Sequence, residues 1–203
     1  MEHRLSRRDV LHAASVALAA RPATSLAAEA ASPLDDLLGR RRMVRRFKPD
    51  PVSTGTVRRL LSAAIRAPSA GHTQPASFVV VRGRDARTAL GRAALGQTFV
   101  GEAPVVVVAC ADVSRSKARY RERAERYGMI DTAFASMCLL LAVVEAGLGA
   151  CFVGAFDDGE VARLVGLPAH VLPVAVIPIG YPAEAPGRMK LRPLRDVVHH
   201  ERW

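Results

Sequence analysis

From Met129 to Leu148 the chain is apolar on almost every face of a helix, and this stretch constrains the fold more than any other. Ile130, Ala133, Phe134, Met137, Leu140, Leu141 and Val144 recur at helical spacing and mark one stripe. Leu139, Ala142 and Val143 add apolar side chains on other faces. A helix of this kind is expected to be buried, in part by another subunit. Asp131 and Glu145 inside it argue against a membrane span. Gly147 and Gly149 close it.

Such a helix needs partners. An opening helix is expected over Pro33 to Arg42, with Ser32 as N-cap, Pro33 in the first turn and Asp35-Asp36 at the positive end of its dipole. After the break at Asp50-Pro51, Val57, Leu60, Leu61, Ala64 and Ile65 share one face of a second helix, which Pro68 ends. Phe78 to Val81, Val105 to Val108 and Val174 to Ile179 read as strands, the first two as buried ones, and Cys151 to Val153 is strand-like. Short helices are expected from Asp85 to Leu95 and from Gly159 to Val165. The charged run Ser114 to Arg126 reads as a solvated helix or lid, and Arg188 to Trp203 as a basic, extended tail. Strands interleaved with helices indicate one α/β or α+β domain.

Lys and Arg number 29 against 19 Asp and Glu, a net charge of +10, which suits nucleic acid, an anionic surface or an anionic ligand. Aromatic residues are only 5%, too few for stacking platforms on single-stranded nucleic acid, and no RNP or zinc-finger spacing occurs. Cys110, Cys138 and Cys151 form no CxxC, so small buried apolar side chains are the expected role.

The first thirty residues read as an address. Ser6-Arg7-Arg8-Asp9-Val10-Leu11 resembles a twin-arginine export signal, Val10 to Ala20 is mildly apolar, and Ser25-Leu26-Ala27 and Ala28-Glu29-Ala30 offer cleavage patterns. The expected organisation is a signal peptide over residues 1–30 and one domain over residues 31–203, exported to the periplasm; the alternative is a basic helix on a cytoplasmic protein.

No G-x-S-x-G, H-E-x-x-H, Walker loop or strand-linked G-x-G-x-x-G is present, and no metal site is expected. Three other features remain. Arg40-Arg41-Arg42-Met43-Val44-Arg45-Arg46 places five arginines in seven positions. A phosphate would relieve their repulsion and suits the guanidinium fork; a solvated basic surface is the alternative. Lys190-Leu191-Arg192 could add charge to the same ligand. Ala67-Pro68-Ser69-Ala70-Gly71-His72-Thr73-Gln74-Pro75, a loop of small residues and side-chain donors, would let a flat ligand approach the backbone or simply make a tight turn.

Taken in order, these segments resemble the nitroreductase family. Arg41 to Phe47 is similar to its R-R-S-x-R-x-F and Ala67 to Pro75 to its A-P-S-x-x-N-x-Q-P-W. Asp131 to Cys151 looks like its long helix and closing G-L-G. Leu164 to Pro168, Ile179 to Pro182, and Pro193-Leu194 with Val197 to His199 resemble its later punctuation. The resemblance covers the chain after residue 33.

It implies an α+β three-layer sandwich with a central, mostly antiparallel sheet and a long buried helix, and a homodimer with FMN between subunits. Arg41, Arg42, Met43 and Arg45 would lie at the FMN phosphate and reach the ring. Pro68, Ser69, Gly71, His72 and Gln74 would come from the other subunit. Val153, Gly154 and Ala155 would face the flavin N5 side, and Lys190 or Arg192 would complete the phosphate site. Flavin would carry the chemistry, with no catalytic side chain. Two electrons would pass from NADH, NADPH or another donor to an electron-poor acceptor, a nitroaromatic or quinone, in a ping-pong sequence. After export, a redox partner protein could deliver the electrons. Met43 replaces the family's serine, His72 its asparagine and Ala76 its tryptophan. Two alternatives are a specialised flavin-binding relative, for flavin fragmentation or peptide desaturation, and a basic module for nucleic acid or anionic surfaces.

Overall fold

The computed structural model describes residues 32–187 and 190–203. The expected signal peptide, residues 1–30, lies outside them. The chain divides into two compact units, Met1–Asp36 and Leu37–Trp203. In the first, the Asp35 amide donates to Ser32 Oγ at 3.1 Å while Asp35 Oδ2 accepts from the Ser32 amide and hydroxyl, a reciprocal cap. Helix α1 is Pro33–Arg40.

Four strands form one antiparallel sheet: β1 (Ala76–Val81), β2 (Val105–Asp112), β3 (Gly149–Ala150) and β4 (Val171–Gly180), in the order β1-β2-β4-β3. Side chains alternate across β2, and that alternation makes three layers. Val105, Val107 and Ala109 face one core, packed with Leu60 and Ala64 of α2 (Thr54–Ala64) and with Leu139 and Val143 of the long helix. Val106, Val108 and Cys110 face the other, packed with Leu90 of α3 (Arg84–Ala93), Val100 of α4 (Thr98–Glu102) and Val161 of α7 (Asp158–Val165). Ser53 caps α2 and Asp157 caps α7, each accepting an amide hydrogen bond, and Gly166 ends α7 in the left-handed region at φ 68°.

The β2–β4 register skips between Ala109 and Cys110, which pair with Ala175 and Pro173, leaving Val174 as the extra residue of a bulge. Proline cannot donate to a ladder, and the bulge falls beside one. β1 is expected to be a buried strand but is only half-buried, because it forms the sheet edge. The strand-like segment Cys151 to Val153 forms no ladder; Val153 makes a single bridge to Val176.

Helix α5 (Ser114–Tyr120) and a 3₁₀ turn, Arg121–Arg123, lead into α6, Ala124–Glu145, which starts five residues before the apolar run. By length and composition the helical stretch Ser114–Glu145 could cross a membrane, yet α6 packs on the sheet in the manner of a core helix. Its core face is small and partly polar: Gly128, Asp131, Thr132, Ala135, Ser136, with Leu139 and Val143 below. The large apolar stripe points the other way, with Ile130 39%, Phe134 49% and Met137 36% exposed. Small residues let helix and sheet approach closely, so bulky ones are left for another surface. The expectation of burial on all faces is therefore not met within one chain.

Candidate functional site

Beyond α1 the arginine segment is extended. Arg42 turns its guanidinium back onto the Gly39 and Arg41 carbonyls, at 2.6 and 2.9 Å, where a helix C-terminus has unpaired acceptors. The Val44 amide donates to Ala150 O at 2.9 Å and the Lys48 amide to Tyr181 O at 2.8 Å, while the Ala183 amide donates to Arg46 O at 2.9 Å. These bonds lay residues 43–48 along the β3 end of the sheet. Gly149 permits the crossing, since a Cβ there would sit 2.7 to 2.9 Å from the Val44 side chain. Met43 points inward: its thioether accepts the Phe152 amide at 3.4 Å, and its side chain packs against both cores.

Arg45 projects from this segment, its guanidinium 5.9 Å from the Phe99 ring centroid. It also borders Cys151, whose thiol burial pushes up in pKa against the opposing pull of Arg45. Glu184 Oε1 accepts the backbone amides of Arg45 and Arg46, at 2.7 and 3.1 Å, rather than pairing with either guanidinium. Among the described residues no carboxylate forms an ion pair with Arg41, Arg42, Arg45 or Arg46.

Next to this segment lies the turn after Val153. Val153 is buried and exchanges two hydrogen bonds with Val176, at 3.0 and 2.9 Å. Gly154 and Ala155 are exposed, and their amides find no acceptor among the described residues. Gln97 Nε2 braces the turn by donating to Ala155 O at 3.2 Å and to Ala94 O at 2.9 Å.

The second predicted element, the Pro68 to Pro75 loop, lies elsewhere. The Asp112 amide at the far end of β2 donates to Pro75 O at 2.8 Å, whereas Val105 at the near end pairs with Ile179, itself beside Ala150. Seven residue steps of β2 separate the two, about 23 Å at ~3.3 Å per residue. One chain does not bring the arginines and this loop together.

Gly71, His72 and Gln74 all have left-handed φ, at 52°, 57° and 50°. A Cβ on Gly71 would lie 2.5 Å from Tyr120 Oη and 2.6 Å from Arg119 Nε, so a side chain there would displace both and add strain at this φ. Ser69 Oγ accepts the Gln74 amide at 3.0 Å. Pro68, Ser69 and Gln74 line a cavity of about 350 Å³ with Arg115, Asp112 and Asp131. The charged run read as a solvated helix or lid clamps this loop: Arg115 Nε donates to Thr73 O at 3.0 Å and Arg119 to Gly71 O at 3.3 Å.

Lys190 and Arg192 are exposed, and among the described residues no hydrogen bond or ion pair joins them to the arginine segment; Arg192 turns back onto Asp196 O. Sequence reasoning missed Gln97, Phe99 and Glu184, which lie 54 to 139 positions from their partners Ala155, Arg45 and Arg46 and carry no local pattern. Only covariation among relatives could have found them.

A 37% identical relative, covering 78% of this chain and 91% of its own length, is an NADH dehydrogenase of Thermus thermophilus. An FMN reductase [NAD(P)H] of Bacillus subtilis is 25% identical over 80% of this chain and 71% of its own. The structure of B. megaterium NfrA1 superposes with a TM-score of 0.80 at 25% identity, covering 85% of this chain and 75% of that one. The sequence model of the nitroreductase family matches residues 38–102 and 91–181, and the chain belongs to that family.

Proposed function

We propose that this chain is an FMN-dependent oxidoreductase that takes two electrons from NADH, NADPH or another donor. It passes them to an electron-poor small molecule, a nitroaromatic or quinone, in a ping-pong sequence. One observation carries the reading: among the described residues the Arg45 guanidinium has no carboxylate partner and borders Cys151, three residues before the turn in which the Gly154 and Ala155 amides find no acceptor. That donor set fits FMN, a dianionic phosphate joined to a flat ring rich in acceptors. The likeness to the FMN reductase [NAD(P)H] of B. subtilis supports the cofactor and the donor.

When bound, FMN supplies the redox chemistry. Arg41 and Arg45 bind the phosphate end through charge-assisted hydrogen bonds. The Arg45 guanidinium favours an anionic ligand beside it. Gly154 and Ala155 offer two backbone donors with nothing to reorganise. Gln97 holds the Ala155 carbonyl and thereby the turn.

The second half of the site comes from the Pro68–Pro75 loop of another copy. The separation along β2 and the exposed stripe of Ile130, Phe134 and Met137 support a homodimer.

The leader belongs to the same proposal. Arg7-Arg8 and the small-residue sites near Ala27 and Ala30 support twin-arginine export. A redox partner protein or reduced small molecule then replaces nicotinamide as donor. N-terminal sequencing of exported protein is expected to begin near residue 28; a start at Met1 overturns export.

The test of function is the absorption spectrum of the purified protein, then addition of NADH or NADPH with a quinone or nitroarene. A flavin spectrum bleached by donor and restored by acceptor is expected. A colourless protein that cannot be reconstituted with FMN overturns the reading.

A further inference from the structure

Among the described residues, four polar side chains are buried: Ser116, Asp131, Thr132 and Ser136. Two serve the core itself. Ser136 Oγ donates to Thr132 O at 2.8 Å within α6, and Thr132 Oγ1 donates to Cys110 O of β2. The other two, from different helices, reach a single loop peptide.

Asp131 Oδ2 accepts the Ala70 amide at 3.0 Å. Thr73 Oγ1 donates its only proton to Ala70 O at 3.0 Å, so in its 3.0 Å contact with Ser116 the serine must be the donor. Ala70 is thus held at both ends, its N–H by Asp131 and its carbonyl by Ser116 through Thr73. This peptide immediately precedes the left-handed residues Gly71 and His72, with Gln74 close behind. Non-glycine residues keep such φ values only where their surroundings over-determine them.

A buried carboxylate is a costly way to hold one amide. Fold stability alone does not call for it, because the same position on α6 could carry an apolar residue. The loop's backbone shape does call for it. We propose that Asp131 and Ser116 are positioning residues that hold the Ser69–Gln74 loop in its ligand-binding shape. Neither touches the ligand; both act through Ala70 and Thr73. This rests on the flavin reading above, in which the loop completes a neighbouring copy's site.

The test uses the full chain with Asp131→Leu, Asp131→Asn and Ser116→Ala. Two quantities are read: amide hydrogen exchange of residues 70–74 in flavin-free protein, and FMN affinity by fluorescence titration. Asp131→Leu and Ser116→Ala are expected to speed loop exchange, and to weaken FMN binding, by about tenfold each. Exchange in β2 should change little. Asp131→Asn keeps an acceptor oxygen and should restore both quantities to within about threefold of the parent.

Unchanged loop exchange in both disruptive variants overturns the proposal. Faster exchange spread evenly over the chain does so too, since it marks a general loss of stability. Faster loop exchange with unchanged FMN affinity overturns the positioning role while leaving the flavin reading intact. Failure of that reading shows separately, as no FMN binding by the unsubstituted protein. If Asp131→Leu does not fold, Ser116→Ala against Asp131→Asn decides the same question.

Discussion

The amide of Arg45 donates to Glu184 Oε1 at 2.7 Å across 139 residues of sequence. The same oxygen takes the Arg46 amide at 3.1 Å. An acid inside an arginine cluster would ordinarily neutralise a side chain. Here it spends its lone pairs on the backbone, leaving the guanidinium groups for a ligand.

Glu184→Ala should therefore loosen the segment without removing any charge that binds the ligand. A lost hydrogen bond to a charged group, discounted for partial exposure, is worth about 1 kcal/mol. FMN affinity is expected to fall about fivefold, with Glu184→Gln, which retains an acceptor, closer to the parent. Tighter FMN binding by Glu184→Ala in a titration would show instead that the carboxylate repels the phosphate.

Arg45→Ala removes a ligand-binding charge and should act differently. Charge-assisted contacts to phosphate are about twice as strong as neutral ones, so a loss of about tenfold or more in FMN affinity is expected. The salt dependence should also flatten, because one cation fewer is neutralised on binding. Titrations at two ionic strengths check both. An unchanged salt slope would place Arg45 away from the phosphate.

The layers were legible from sequence because they follow from periodicity. β2 alternates between two cores, and Leu60, Ala64, Leu139 and Val143 fall at helical spacing. The arginine segment was legible as crowded positive charge. What was hidden depends on contacts distant in sequence: Glu184 on Arg45, Gln97 on Ala155, Asp131 on Ala70. The charged run Ser114 to Arg126 is the mostly exposed helical segment that its composition implies, but that composition gave no sign of its contacts with the loop. In the fold, Arg115, Ser116 and Arg119 spend their polar groups on the loop. The long helix misled in direction, since side-chain size rather than hydrophobicity decided which face met the sheet.

That outward face yields a prediction about assembly. Ile130, Phe134 and Met137 lie at i, i+4 and i+7, with Phe134 half exposed. Aromatic anchors at the centre of an interface commonly carry about 2 kcal/mol or more. Phe134→Glu should shift the proposed dimer to monomer at micromolar concentration in light-scattering measurements and lower FMN retention with it, because in that proposal each site draws on two chains. A dimer that survives Phe134→Glu would move the interface elsewhere.

Asp131 predicts a pH dependence of stability with a definite sign. Burial raises its pKa above the ordinary carboxylate value, and the Ala70 amide only partly opposes this. A carboxylate raised in the folded state favours folding while protonated and opposes it while ionised. Stability relative to Asp131→Asn should therefore fall as pH rises from the ordinary carboxylate range through the raised value, then level off. Asp112 and Arg115 are the other charged residues lining the same cavity, so Asp112→Asn serves as the control. Urea denaturation of the three proteins between about pH 4 and 8 measures it. If Asp131→Asn is instead destabilised increasingly as pH rises, the ionised carboxylate stabilises the fold, and its interaction with the Ala70 amide outweighs the cost of burial.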